Sequence, residues 1–369
     1  MRIRLGMVGG GEGAFIGAVH RIAARLDGQF ELVCGAFAAA PRRALASADA
    51  LGVRGYANYQ AMFDAEACRP EGMQAVVIVT PNHLHIPVAR AALAAGFHVI
   101  CDKPLAATLE EAQSLRVPAG RVFAITYNYS ASPMIRQARA MVAAGALGAI
   151  RVVQVEYAQA WLAENIESTG QKQAEWRTDP VRTGPGGAIG DIGTHAFHLA
   201  GFTTGLAPDA LLADLHRMVP DRRVDDNAHI LLRYPSGARG MIWASQIAHG
   251  HDNDLRLRLY GEAGSLEWHQ EEPDRLWHTP AGEPKRLITR AGAGAGPEAA
   301  RMSRVPPGHP EGYLEAFAGL YSEIAATIRN GGTPPEGASF PTLADGLAGV
   351  RFVDTAVRSS AAGGVWLAL

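Results

Sequence analysis

Three side chains in this sequence have the chemistry to move a proton. Lys103 follows an apolar run, Phe97-His-Val-Ile-Cys101, inside the segment Cys101-Asp-Lys-Pro104. About ninety residues further on, Asp191 and His195 stand four apart, a spacing that puts both on one face of a helical turn. An ammonium at a strand end, with a carboxylate and an imidazole one turn apart, suits removal of a proton from a carbohydrate hydroxyl. The chain also begins with a strand and a glycine cluster. The combined reading is redox chemistry, in which the proton goes to the protein and a hydride to a nicotinamide.

Elements able to place these groups can be read from the apolar pattern. Apolar runs at 3–8, 30–37, 75–79, 98–101 and 122–126 predict strands. Helical patterns at 16–26, 41–51, 86–95 and 109–115 fall between them. Strands that alternate with helices predict a doubly wound parallel sheet. The 75–79 run is apolar throughout, as expected of a strand covered on both faces. The pattern then changes. After a helix at 133–144, strand-like segments follow at 150–157, 228–234, 240–246, 254–260 and 265–268, with few helices between them. That succession predicts a mainly antiparallel sheet open on one face. Residues 291–312, rich in Gly, Ala and Pro, predict a loop, and 312–329 and 343–358 predict two closing helices.

With 369 residues the chain is too long for one ordinary core, so two domains are expected, 1–130 and 131–369. Its formal net charge of −2 gives no reason to expect nucleic acid or an acidic membrane as partner. Cys34, Cys68 and Cys101 are widely spaced and odd in number, which fits a reducing compartment. No apolar run approaches membrane-spanning length, and the N-terminus meets glycines too early for a signal-peptide core. A cytoplasmic location is expected.

Each motif carries a functional and a plainer reading. Gly9-Gly-Gly-Glu-Gly13 lies between a strand and a helix, where backbone N–H groups cradle a pyrophosphate. Gly9 and Gly11 fit the first two fingerprint positions. The third falls on Ala14, or on Gly17 if two residues are inserted. No acid follows the second strand to bond a ribose diol. There Arg42 and Arg43 either face a 2′-phosphate, which favours NADP, or lie solvated in a first helical turn. Thr80-Pro-Asn-His-Leu-His85 closes the 75–79 strand at the carboxyl edge, where such sheets bind ligands. Pro81 and Asn82 suit a wall against the nicotinamide ribose. His83 and His85 read as structural or capping residues, since no third metal ligand is in view. Pro104 restricts Lys103 to an extended backbone. Asp191, His195 and His198 share a helix face, but catalysis is preferred there to structure and to a metal, and no metal is expected.

Taken in order, the glycine turn, Thr80-Pro-Asn with His85, Asp102-Lys-Pro104 and Asp191-Ile-Gly-Thr-His195 resemble the Gfo/Idh/MocA family over about residues 3 to 360. One departure is conservative: the family's Glu-Lys-Pro is Asp-Lys-Pro here. The resemblance implies an α/β chain with an N-terminal Rossmann domain that binds NAD or NADP. It also implies a C-terminal α+β domain with a large, mainly antiparallel open sheet for substrate and self-association as a homodimer or homotetramer. A sugar or cyclitol is the implied substrate. Under it, His195 accepts the hydroxyl proton, Asp191 orients His195 or holds a neighbouring hydroxyl, and Lys103 bonds the reacting oxygen. Candidate nucleotide contacts are Gly9, Gly11, Gly13, Ala14, Phe15, Ile16, Ala38, Arg42, Thr80, Pro81, Asn82, His85, Asp102 and Lys103. Substrate contacts are expected from Tyr127, Asn128, Trp161, Trp176, Arg177 and His309 besides the catalytic three. Two other functions stay open. One is a redox-neutral, NAD-dependent glycosidase, which needs a further base such as Tyr127 or Tyr157. The other is a non-catalytic nucleotide sensor, which would have no use for Lys103, Asp191 and His195 together.

Overall fold

A computed structural model describes residues 1–369. In chain order the first elements are β1 (Ile3–Gly9), α1 (Phe15–Leu26), β2 (Phe30–Ala36), α2 (Pro41–Leu51), β3 (Arg54–Gly55), α3 (Tyr59–Ala67), β4 (Ala75–Val79), α4 (His85–Ala94), β5 (His98–Cys101), α5 (Leu109–Ser114) and β6 (Phe123–Ile125). They continue with α6 (Pro133–Ala143), β7 (Ile150–Ala158), α7 (Lys172–Arg177), α8 (Pro180–Thr183), α9 (Thr194–Thr204), β8 (Ala210–His216), β9 (Asn227–Arg233), β10 (Arg239–Ser245) and β11 (Asp254–Gly261). The last are β12 (Gly264–His269), β13 (Arg275–Pro280), β14 (Arg286–Thr289), α10 (Pro297–Met302), α11 (Tyr313–Arg329), α12 (Leu343–Ala361) and β15 (Leu367–Ala368). The chain divides into two compact units: residues 1–106, 110–128 and 313–347, and residues 107–109, 129–312 and 348–369.

The first unit holds a six-stranded sheet in the order β3-β2-β1-β4-β5-β6, with every pairing parallel. All five residues of β4 are buried, as its unbroken apolar sequence requires. The strand order reverses between β1 and β4, and in such sheets the carboxyl ends at that point form the ligand crevice. α1 turns Gly17, Val19, His20, Ala23 and Ala24 inward. α11 packs against it although it comes late in the chain: Tyr321 bonds His20 and meets Phe30 edge-on, and Phe317 lies edge-on to His20. Two elements here escaped the sequence pattern. β3 is only two residues long, and α3 owes its start to Asn58, whose side chain accepts from the Ala61 N–H at 2.9 Å.

The second unit is built on a nine-stranded sheet, β14-β13-β12-β11-β7-β10-β9-β8-β15. It is antiparallel except for the central pair β7 and β10. Val153, Val155 and Tyr157 of β7 point into the core, where α9 covers the sheet, while Gln154 and Glu156 point outward. On the outward face Arg258 holds Glu156 with two bonds of 3.1 and 3.0 Å. β8, β13, β14, α7 and α8 were not anticipated. β8 reads Ala-Leu-Leu-Ala-Asp-Leu-His, a composition that suits a helix, and becomes a strand by pairing with β9 along its whole length. The expected loop at 291–312 also needs correction, because Pro297 starts the short helix α10 within it. No helix is long and apolar enough to cross a membrane, and all three cysteines are free thiols.

Candidate active site

In the first unit the glycine turn is shaped by close approach. Gly9 and Gly10 leave β1 with φ of 80° and 68°, and Gly13 has φ of 77°, all conformations that suit glycine. The Gly11 N–H donates to the Phe37 carbonyl, and a Cβ on Gly11 would lie 2.8 Å from that oxygen. A Cβ on Gly17 would lie 2.1 Å from the Gly10 carbonyl oxygen. Gly17, and not Ala14, is therefore the third glycine, the one that lets the helix lie against the turn. Ala14 instead precedes α1 as an N-cap without a side-chain acceptor, so the first-turn amides at Phe15, Ile16 and Gly17 have no cap. Uncapped amides at a helix N-terminus fit an anionic pyrophosphate. Phe15 is exposed and stacks on Tyr313, with ring centroids 6.4 Å apart. Ala38 is half-buried, and Arg42 is exposed in the first turn of α2.

The turns after β4 and β5 are joined by His85. Its Nε2 lies 2.9 Å from the Thr80 carbonyl and its Nδ1 lies 2.7 Å from the Pro104 carbonyl. Burial pushes the ring's pKa down, so the neutral imidazole has one N–H to share between those two oxygens. His85 thus braces the turn carrying Lys103 from beneath, with its ring 1% exposed. Pro81 is half-buried and Asn82 buried at the same edge. Asp102 accepts from Thr126 Oγ1 at 2.7 Å and from the Lys103 N–H at 3.0 Å, and His20 Nε2 stands 3.9 Å away. Burial alone would raise the pKa of this carboxyl. The positive and hydrogen-bonding groups of His20, Lys103 and Thr126 outweigh that and hold it well below the usual carboxylate range. Lys103 itself is half-buried, before a cis peptide bond to Pro104. Tyr127 and Asn128 follow β6, both 1% exposed.

In the second unit Asp191 and His195 are carried by an unusual piece of helix. Residues Ile189–Gly193 form a π-helical turn that runs directly into α9. Such turns add a residue to the helical repeat and often occur at functional sites. Asp225, in the loop before β9, fixes where this helix begins. Its two carboxylate oxygens accept from the N–H groups of Gly187 (2.6 Å) and Ile189 (2.8 Å), and its carbonyl accepts from Ala188. A Cβ on Gly187 would strike that same carbonyl at 2.1 Å. Burial pushes the Asp225 pKa up to about 6, against the pull of the two N–H donors.

Asp191 accepts a 2.9 Å bond from Gln246 Nε2, and Arg177 Nε lies 3.4 Å from the same oxygen. Those two groups hold the carboxylate in place. His195 is buried and lies edge-on to Tyr129 (5.0 Å between centroids) and close to Tyr157 (6.1 Å). Those phenols form a closed hydrogen-bond ring with Asn253: Tyr129 to Tyr157 at 2.7 Å, Tyr157 to Asn253 Oδ1 at 2.7 Å, and Asn253 Nδ2 back to Tyr129 at 3.3 Å. Burial pushes the Tyr129 phenol up, away from ionisation. The Tyr157 hydroxyl donates to Asn253, while its ring lies beside the imidazole.

Two of the expected substrate residues gather around Arg177, whose guanidinium lies 4.3 Å from the Trp176 ring and 6.0 Å from the Trp161 ring. Trp161 in turn donates to Gln159. His309 is different. It sits exposed on the 303–312 segment, which is held through its main chain, with Arg290 bonding the His309 and Val305 carbonyls. Gln246, Asp225, Tyr129 and Asn253 had no spacing signal in the sequence, because each reaches the imidazole region from a different element.

Two family models together match most of the chain. The one described as an oxidoreductase family with an NAD-binding Rossmann fold matches residues 3–120, and the one described as a GFO/IDH/MocA C-terminal domain matches residues 135–267. Among solved structures, an oxidoreductase from Sinorhizobium meliloti is 48% identical with a TM-score of 0.89, covering 100% of this chain and 99% of that one. An inositol dehydrogenase homologue from Azotobacter vinelandii, complexed with NADH and myo-inositol, is 38% identical with a TM-score of 0.93, covering 100% and 98%. A levoglucosan dehydrogenase from Pseudarthrobacter phenanthrenivorans is 30% identical over 79% of each chain.

Proposed function

Because the chain belongs to the Gfo/Idh/MocA oxidoreductase family, we propose that it is an NAD(P)-dependent dehydrogenase that oxidises one hydroxyl-bearing carbon of a sugar, sugar derivative or cyclitol. The observation that carries this reading is the His195 site. An imidazole is seated on buried phenols one turn from a carboxylate held by Arg177 and Gln246, in a chain that also has a nucleotide cradle. Relatives named for inositol and levoglucosan support the substrate class.

The amides after Gly9, Gly11 and Gly13 and at Ala14, Phe15 and Ile16 would hold the pyrophosphate. Ala38 and Arg42 would face the adenosine ribose, and Thr80, Pro81, Asn82 and the Asp102–Lys103 turn the nicotinamide ribose, with His85 bracing both edges. A bound oxidised nicotinamide supplies the hydride acceptor. His195 takes the hydroxyl proton onto an imidazole nitrogen, a role suited to that side chain as a general base. Lys103 Nζ donates a hydrogen bond to the reacting oxygen and offsets the charge that develops there. Asp191 keeps the imidazole oriented. Tyr127, Asn128, Trp161 and Trp176 would line the sugar, Arg177 would meet an anionic or hydroxyl substituent, and His309 would approach from its loop. The exposed Val152, Leu231, Tyr260 and Leu287 belong to strands of the second sheet and suit self-association as a dimer or tetramer. A monomer in light scattering at micromolar concentration would rule that out.

The decisive experiment follows absorbance at 340 nm, with NAD and NADP offered separately against polyols, sugars and aryl glycosides. Reduction of one nucleotide by one polyol or sugar is the expected result, and the same assay selects between the nucleotides. Lys103→Met and His195→Ala should each lower kcat by about 10²–10⁴-fold while NADH still binds in a fluorescence titration. Unchanged kcat in both variants would sink the assignment. Aglycone release without net reduction would point to the redox-neutral glycosidase. Tight nucleotide binding with no turnover on any substrate would point to a sensor.

A further inference from the structure

Away from the groups assigned so far, three potential cation ligands converge where β11 begins and β12 ends. Asp254 opens β11, His269 closes β12, and Glu271 lies two residues beyond. The strands are antiparallel neighbours with Arg256 opposite His269, so these positions come side by side. One ligand atom from each of the three lies within 4.8 Å of the others. His269 Nε2 is 2.6 Å from Asp254 Oδ1 and 3.6 Å from Glu271 Oε2. Even so, that nitrogen is enclosed and makes no hydrogen bond. The donor atoms of the three side chains are thus gathered at one point, although the 2.6 Å pair would have to open slightly to seat an ion between them.

The surroundings fit the same reading. The Asp254 side chain is 4% exposed, and its far oxygen, Oδ2, pairs with His251 Nδ1 at 2.6 Å. Outer partners of this kind orient metal-binding carboxylates. The second oxygen of Glu271, Oε1, accepts from the Asn253 N–H at 3.0 Å. One feature opposes a cation: Arg256 Nε lies 2.7 Å from Asp254 Oδ1 and competes for that oxygen. No sequence motif announces the cluster, because its ligands come from two strands.

We propose that Asp254, His269 and Glu271 bind a divalent transition cation of the zinc class, with water completing its coordination. One imidazole and two carboxylates form a borderline nitrogen–oxygen donor set of the kind zinc accepts. The ion would tie β11 to β12. Through Glu271 and Asn253 it would also steady the hydrogen-bond ring of Tyr129 and Tyr157. Competition from Arg256 weakens the affinity. The proposal is independent of which hydroxyl, if any, the protein oxidises.

The test is calorimetric titration of the chelator-dialysed full-length protein with Zn²⁺, using Mg²⁺ as control. One equivalent of Zn²⁺ should bind, at least about tenfold more weakly in His269→Gln, and not measurably in the Asp254→Asn/His269→Gln double variant. Arg256→Met should bind more tightly, a gain that a misfolded protein would not give. Zn²⁺ should also raise the melting temperature of the parent protein and leave that of the double variant unchanged. No heat with the parent protein overturns the proposal. So does equal binding by the double variant, which would mark the signal as scattered histidine binding.

Discussion

The glycine turn of the first unit and the π-turn of the second each shape the start of a helix, by opposite means. At the glycine turn the groups proposed to bind the nucleotide are main-chain amides, exposed because side chains are missing. Gly17 exists there to let two backbones touch, and Ala14 leaves the cap empty. At the π-turn the groups proposed to act are the side chains of Asp191 and His195. Their placement depends on other side chains, namely Asp225, Gln246, Arg177 and the phenol ring closed by Asn253. A site made of backbone is specified by a few local residues. A site made of side chains is specified by residues scattered over the fold.

Substitutions in the two regions should therefore have separable effects. The largest is expected for Gly17→Ala. Its Cβ would meet the Gly10 carbonyl oxygen at 2.1 Å, so α1 must shift. NADH affinity should fall at least about a hundredfold, or about 3 kcal/mol, read by fluorescence titration; an unchanged Kd would show that the cradle is not the nucleotide site. Asp225→Asn should do the reverse. It keeps one acceptor for two N–H donors and leaves the other unpaired at a cost of about 1–3 kcal/mol, so kcat and Tm should drop while NADH affinity holds. Equal loss of NADH affinity would break the contrast between the two regions.

Acidity offers a further probe of the first unit, through one histidine. Burial pushes His98 down to about 4, and its Nδ1 accepts the Val122 N–H at 3.0 Å. Because the folded pKa is depressed, the neutral ring stabilises the fold above about pH 6.5, the unfolded value, and that stabilisation is lost as pH falls toward 4. Between pH 7 and 5 the loss should be about 2 kcal/mol. His98→Asn, whose side-chain oxygen offers a non-titrating acceptor, should flatten that part of the urea-midpoint profile; an identical profile would rule His98 out. The smallest effect on activity is expected for Tyr157→Phe, which removes the hydrogen bonds to Tyr129 and Asn253, each worth about 1 kcal/mol. Its kcat should fall less than tenfold, and a complete loss of activity would make Tyr157 a participant in the chemistry.

How much could be read in advance follows the same division. Strands β1, β2, β4, β5 and β6 lay open in the apolar runs, because a strand buried on both faces has little freedom of sequence. Lys103, Asp191 and His195 can be proposed as a set from the sequence only because the motifs keep their order. Gly17 was left tied with Ala14, since the extra residues in the turn change its length but not the contact that selects the glycine. β8 was hidden by helix-favouring residues that pairing with β9 overrides. The Arg177 cluster was partly visible, but its link to Asp191 was not, because α7 is too short to show a period.

The late position of α11 has a consequence for how the protein is made. His20 and Phe30 emerge early from the ribosome, whereas the Tyr321 that covers both is close to the C-terminus. The nucleotide unit is thus discontinuous in sequence and cannot finish folding until nearly the whole polypeptide has been synthesised. A nonsense mutation anywhere before residue 313 would leave its early strands without their last helix, so truncated products should be cleared by proteases and not accumulate as a working nucleotide-binding fragment.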